Sequence, residues 1–240
     1  MAKDSALTLA FSPRKSGATA TVRSSDIDER TTVKSDEIWK YIHGERVQMA
    51  QTWASFSSEQ WGVSSWCEGW TVQMVAGHLL AAAEQTPLNF FKELAQAGFS
   101  FNKFALRGAN TFAAIGPSEL VRRMLIRTTT TNHPPAPVMA MLGEVVVHGE
   151  DIRRPLGVIH EVPDAALVAV ADSWKNSNLL IGSKRRITGL HLRATDVDWS
   201  YGDGPEVVGP MISLVLAMTG RKGAYTDLTG EGLSIIGARP

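Results

Sequence analysis

The sequence predicts an α+β protein, an antiparallel four-helix bundle followed by a small α+β domain, and three observations carry that prediction. Between residues 36 and 160 apolar side chains recur at the helical period over long stretches, separated by capped or proline-rich connectors. From Leu190 the period changes to two, with Leu192 and Ala194 alternating with His191, Arg193 and Thr195. A chain of 240 residues that is 44% hydrophobic can bury one large core or two modest ones.

Each element follows from local chemistry. Ser35, Asp36 and Glu37 open a first amphipathic helix that reads to about Phe56 through Ile38, Ile42, Val47 and Met49. Residues 61–70 read as an aromatic connector. Thr71 caps a second helix over 72–85, and Thr86-Pro87 restarts it as cap and first-turn proline to about Ala97. A third helical region covers 101–127, broken at Gly116-Pro117. Pro134, Pro135 and Pro137 lie in the following loop, and the fourth helix covers 138–156, closed by Gly157. One further helix is expected over 164–181.

Beyond it the alternation at 190–195, then Trp199, the turn Gly202-Asp203-Gly204-Pro205 and Val207, read as a hairpin. A short apolar helix covers 210–219, ended by Gly220, and Leu233-Ser234-Ile235-Ile236 reads as a returning strand. The expected organisation is a loose extension at 1–35, a bundle at 36–160, a connecting helix at 161–185 and a small α+β domain at 186–240.

Composition excludes several functions. Lys+Arg and Asp+Glu are equal at 24 each, so no overall field draws in nucleic acid or an anionic membrane. The longest apolar runs, at 76–83 and 167–171, are far shorter than the roughly 18 residues of a membrane span. The N-terminal residues are rich in Ser, Thr and Ala, and their one apolar run, 6–11, is too short for a secretion signal. A single cysteine, Cys67, rules out an internal disulfide and fits a reducing cytoplasm. A soluble cytoplasmic protein is expected.

The segment from Gly143 to Arg154 is the most informative. Glu144 and His148 stand four apart on a helix, so their directions differ by only about 40° and both can bind one ion. Met141, Val145 and Ile152 share that direction, which turns the pair toward the apolar side. A third ligand must come from another helix. His78, with Val75, Ala81 and Ala82 on its face, is the best placed, although a hydrogen-bonded core histidine has the same signature.

Two histidines and one carboxylate leave tetrahedral zinc with one open position, as in catalytic rather than structural sites. Asp151, one turn beyond His148, either orients that imidazole or pairs with Arg153, Arg154 or Arg122 in a partly solvated ion pair. Cys67 has no basic neighbour in sequence and reads as an unreactive packed thiol. His43, His133, His160 and His191 lie away from this constellation.

Trp66-Cys67-Glu68-Gly69-Trp70-Thr71-Val72 leading to Ala76-Gly77-His78-Leu79-Leu80, and Gly143-Glu144 through His148 to Gly157, resemble the mycothiol-dependent maleylpyruvate isomerase family. Leu190 to Asp196 and Trp199 to Val207 resemble its C-terminal domain, which is related to sterol-carrier folds. The resemblance covers residues 36–240 and implies a DinB-like bundle, with His78, Glu144 and His148 at the zinc-ligand positions. It also implies mycothiol, the low-molecular-weight thiol of actinobacteria, as cosubstrate. In the implied reaction a zinc-bound thiolate adds to a cis double bond, rotation follows, and elimination gives the trans product.

The family relies on a C-terminal arginine, and Arg221 is the nearest match here. It either grips a carboxylate of substrate or thiol, or neutralises carbonyl groups at a helix end. The resemblance implies an isomerase or a thiol S-transferase acting on a small electrophile. The competing reading is a non-catalytic, metal-stabilised protein that binds a small ligand.

Overall fold

Helix α1, Ser35–Ala54, has Asp36 and Glu37 in its first turn, where negative charge favours the helix dipole. It buries Ile38, Ile42, Met49 and Trp53, side chains spaced four or seven apart and so on one face. These coordinates are a computed structural model describing residues 34–179 and 181–239. The expected N-terminal extension therefore lies, apart from its last two residues, outside the described residues. Among the described residues no helix is long and apolar enough to cross a membrane.

The connector contains one short helix that periodicity does not reveal. Ser57 and Gln60 form a capping box that starts α2, Ser58–Trp61. In α3, Val72–Glu84, the Thr71 hydroxyl accepts from the Met74 amide at 3.3 Å. Thr86 and Pro87 restart the chain as α4, Pro87–Gln96. The third helical region divides into α5, Phe101–Ala113, and α6, Pro117–Arg127, because Gly116 takes a φ of 87° that ends one helix before Pro117 opens the next. Helix α7, Val138–Arg153, tightens into a 3-10 turn, Arg154–Leu156, and Gly157 closes it in the left-handed region.

Helix α1 packs against α6 and α7, and α3 against α5, α6 and α7. The interior between them holds Ile42, Trp53, Leu80, Leu120, Leu142 and Val146, all fully buried or nearly so. Gly77 lets α3 approach α5 backbone to backbone: a Cβ there would lie 2.6 Å from the Ala109 carbonyl oxygen and 2.7 Å from the Ala113 nitrogen. A Gly77→Ala change gains about 1 kcal/mol of helix propensity. It forces the two backbones apart at a cost of about 1–3 kcal/mol. The expected outcome is a lower urea midpoint, and an unchanged or higher midpoint would show that α3 and α5 have slack.

Helix α8, Asp164–Trp174, stops well short of the expected residue 181. Its last turns are replaced by side-chain hydrogen bonds: Ser177 accepts from the Leu179 amide at 3.1 Å, and Asn178 accepts from the Arg185 amide at 2.7 Å. A short helix α9, Ser183–Ile187, leads into a sheet of β1 (His191–Ala194), β2 (Ser200–Tyr201) and β3 (Glu206–Gly209).

The sheet order is β2-β1-β3, which corrects the expected hairpin across Gly202–Pro205. Strand β1 pairs antiparallel with β2, Leu192 opposite Tyr201, and parallel with β3, Leu192 opposite Val207. The turn therefore crosses from one edge of β1 to the other. It does so in contact with the backbone, since Cβ atoms at Gly202 and Gly204 would strike the carbonyl groups of Leu190 and Gly189. The glycines serve that close approach, not a two-residue turn.

The almost wholly buried α10, Met211–Met218, packs on α8. Residues 233–236 are helical, not a strand, and form α11, Leu233–Gly237. Thr229 already bridges to Val208, and the Gly232 amide donates to Glu206 at 2.7 Å, so the edge of β3 is taken before residue 233 arrives. The described residues cluster as one compact unit, and its core runs continuously from α1 to α11.

Candidate metal centre

His78, Glu144 and His148 converge. His78 sits in the middle of α3, and Glu144 and His148 on successive turns of α7, the helix packed against it. Nε2 of His78 lies 2.8 Å from Oε2 of Glu144, and Nε2 of His148 lies 3.4 Å from the same oxygen. The imidazole centroids are 4.9 Å apart with the rings at 77°. One ligand atom from each residue falls within 4.8 Å of the others, a spacing that suits donors arranged around one cation. All three side chains are half-buried.

Burial pushes the Glu144 carboxyl up, but the neighbouring His148 and His78 imidazoles, with Arg221, outweigh it and hold the group well below the usual carboxylate range. The carboxylate form is the one that binds a metal.

The His148 ring is oriented from behind. Its Nδ1 lies 2.8 Å from Oδ2 of Asp151, whose side chain has no exposure at all. Arg221 then holds that carboxylate with two bonds, Nε to Oδ1 at 3.1 Å and Nη2 to Oδ2 at 2.8 Å. Its Nη1 donates to the Thr219 carbonyl at 3.2 Å, at the end of α10. The solvated pairing of Asp151 with Arg153, Arg154 or Arg122 is therefore corrected. Arg153 and Arg154 turn to Glu150, and Arg122 to Glu119. Arg153 stands only two residues from Asp151, on another side of the helix, and three from Glu150, while Arg154, within helical reach of both, bridges Glu150 and Asp227.

Two features of the site are not visible in sequence. The connector folds against it: the Trp66 amide donates to the Asp151 carbonyl at 3.0 Å, and the Trp70 ring meets His78 edge-on at 5.5 Å. Arg221 also comes close enough to Cys67 to favour its thiolate, so the thiol does have a basic neighbour in space. Burial and the Asp151 carboxylate outweigh that influence and push the thiol up to about 11, so it stays inert.

A row of charges, buried at Glu45, Glu150 and Arg153 and partly exposed at Arg154 and Asp227, ties α1 and the C-terminal segment to α7. Arg153 bridges Glu45 and Glu150, Arg154 bridges Glu150 and Asp227, and His160 meets Glu45 at 2.8 Å. The Arg154–Asp227 contact ties the segment just after Arg221 to the end of α7.

No family model matches the chain, and no curated protein matches it. Two solved structures do, the crystal structures of the mycothiol-dependent maleylpyruvate isomerase and of a variant with one histidine changed to alanine. Their TM-scores are 0.59 and 0.58. Each is 15% identical in sequence, and the alignment covers 87% of this chain and 95% of the other. Over that span the chain has the α+β fold of the mycothiol-dependent maleylpyruvate isomerase.

Proposed function

We propose that this protein is a zinc- and mycothiol-dependent enzyme that carries out cis-trans isomerisation of a small unsaturated acid, or transfers the thiol to a small electrophile. The observation that carries the reading is the convergence of His78, Glu144 and His148 on one point, with His148 aimed there by Asp151. Helices α1, α3, α6 and α7 constitute its DinB-like four-helix bundle, residues 161–185 the connection and 186–240 the C-terminal domain. It works in the cytoplasm, where low-molecular-weight thiols stay reduced.

His78, Glu144 and His148 would hold the zinc. When bound, zinc would strongly lower the pKa of a coordinated thiol, giving a sulfur nucleophile at neutral pH. Asp151 would accept a hydrogen bond from the Nδ1–H of His148, which leaves the Nε2 lone pair free for the metal. Arg221 keeps Asp151 ionised and fixed. Three of its five N–H groups are engaged by Asp151 and Thr219, and the others remain to meet a carboxylate of substrate or thiol. Cys67, protonated at neutral pH, does not compete as nucleophile, so the reacting sulfur comes from outside the chain.

The test is incubation of the zinc-loaded protein with mycothiol and a panel of electrophiles that includes maleylpyruvate, read by mass spectrometry. Turnover that requires the thiol is expected. Tight binding of a small molecule with no thiol-dependent turnover would replace the enzyme by a metal-stabilised binding protein.

A further inference from the structure

Trp66 touches both segments that the Arg221–Asp151 clamp joins. Its main-chain amide donates to the Asp151 carbonyl at 3.0 Å, which fixes the connector to α7. Its half-buried indole lies directly on the main chain of Gly223, where a Cβ would fall 2.6 to 2.9 Å from three ring atoms. Only glycine admits the ring so closely. Gly223 belongs to the 3-10 turn Lys222–Asp227, which opens immediately after Arg221. The same ring meets the Arg154 guanidinium 5.6 Å from its centroid, and Arg154 also holds Asp227 of that turn at 2.7 Å. The main chain of Arg221 has local ties: its amide donates to the Leu216 carbonyl at 3.0 Å, and its carbonyl accepts from the Ala224 amide at 3.1 Å. These ties fix Arg221 within its own segment. Besides the clamp itself, the Trp66 ring and Arg154 seat that segment on α7.

We infer that Trp66 is a positioning residue of the metal centre: its indole, packed on Gly223, sets Arg221 against Asp151 and so fixes the orientation of His148. The inference rests on the reading of His78, Glu144 and His148 as metal ligands. A two-pronged bond needs both N–H groups aligned on both carboxylate oxygens, so a shift of about 0.5 Å in the turn weakens one prong. Asp151 is wholly buried and holds His148 at 2.8 Å, so a looser clamp is passed on to the imidazole. The ring itself touches no ligand in this chain of contacts. It acts through the guanidinium.

Zinc affinity of the full-length chain, measured by competition with a chromophoric chelator, tests this. Trp66→Ala deletes the ring but keeps the main-chain amide, and zinc should bind about 10-fold more weakly. Trp66→Phe, which returns an aromatic ring, should recover most of that loss. In an Arg221→Ala background, Trp66→Ala should weaken zinc by less than about twofold more, because the ring has nothing left to act through. A tryptophan that merely packs lowers the urea midpoint and leaves zinc affinity alone. Gly223→Ala pushes the turn off the ring while keeping Trp66 and Arg221, should weaken zinc similarly, and decides the matter if Trp66→Ala misfolds. Unchanged zinc affinity in these variants, or a loss that multiplies in full with that of Arg221→Ala, overturns the inference and leaves the metal reading standing. A wild-type chain that takes up no zinc overturns both.

Discussion

His148→Ala is expected to leave the protein folded but without metal. The wild-type protein should carry about one zinc per chain, because two imidazoles and a carboxylate supply the three protein ligands of an open tetrahedral site. Removing His148 leaves His78 and Glu144, which already lie 2.8 Å apart and close on each other as a hydrogen-bonded pair. Zinc content measured by inductively coupled plasma mass spectrometry should fall below about a tenth of an equivalent. Thiol-dependent turnover should fall with it by at least about a thousandfold. The half-buried ring is a modest part of the core, so the circular dichroism spectrum should be unchanged. A His148→Ala protein with its full zinc content would refute the ligand assignment.

Arg221→Ala should act on stability and on the site together. The Asp151 side chain is wholly buried, and its carboxylate depends on two partners, the His148 imidazole and the two-pronged guanidinium. Removing one partner from a buried ion pair costs about 3–5 kcal/mol, since a charge is left in low dielectric without its match. The loss should appear as a lower urea midpoint with unchanged slope. A structural role alone would stop there. A positioning role adds a second effect, about 10- to 100-fold weaker zinc binding, because Asp151 no longer holds His148 in its tautomer and orientation. Arg221→Lys should recover part of the stability but less of the affinity, since an ammonium cannot reproduce the planar fork. Destabilisation below about 1 kcal/mol would show that Asp151 finds its compensation elsewhere.

The reach of sequence differs between parts of the chain. Helix starts were legible wherever a cap or a first-turn proline acts on its own neighbours, as at Thr71, Thr86-Pro87 and Gly116-Pro117. The direction shared by Glu144 and His148 was legible because helix geometry fixes it within four residues. Strand partners were not. The residues 202–205 have the composition of a hairpin turn, yet they cross the end of β1, and the glycines serve a backbone approach that only the folded sheet creates. Residues 233–236 have strand propensity but meet an edge already occupied, and local hydrogen bonding turns them into helix.

The sequence by itself determined the helical framework, the change to strand further on, and the two ligands that one helix presents together, because these depend on chemistry within a few residues. Tertiary structure alone decided that His78 faces that pair, that Arg221 clamps Asp151 from seventy residues away, and that Cys67 is kept protonated by burial. Such pairings depend on which helices pack together and on the solvation of each charge. Both are properties of the whole fold, and no spacing along the chain encodes them.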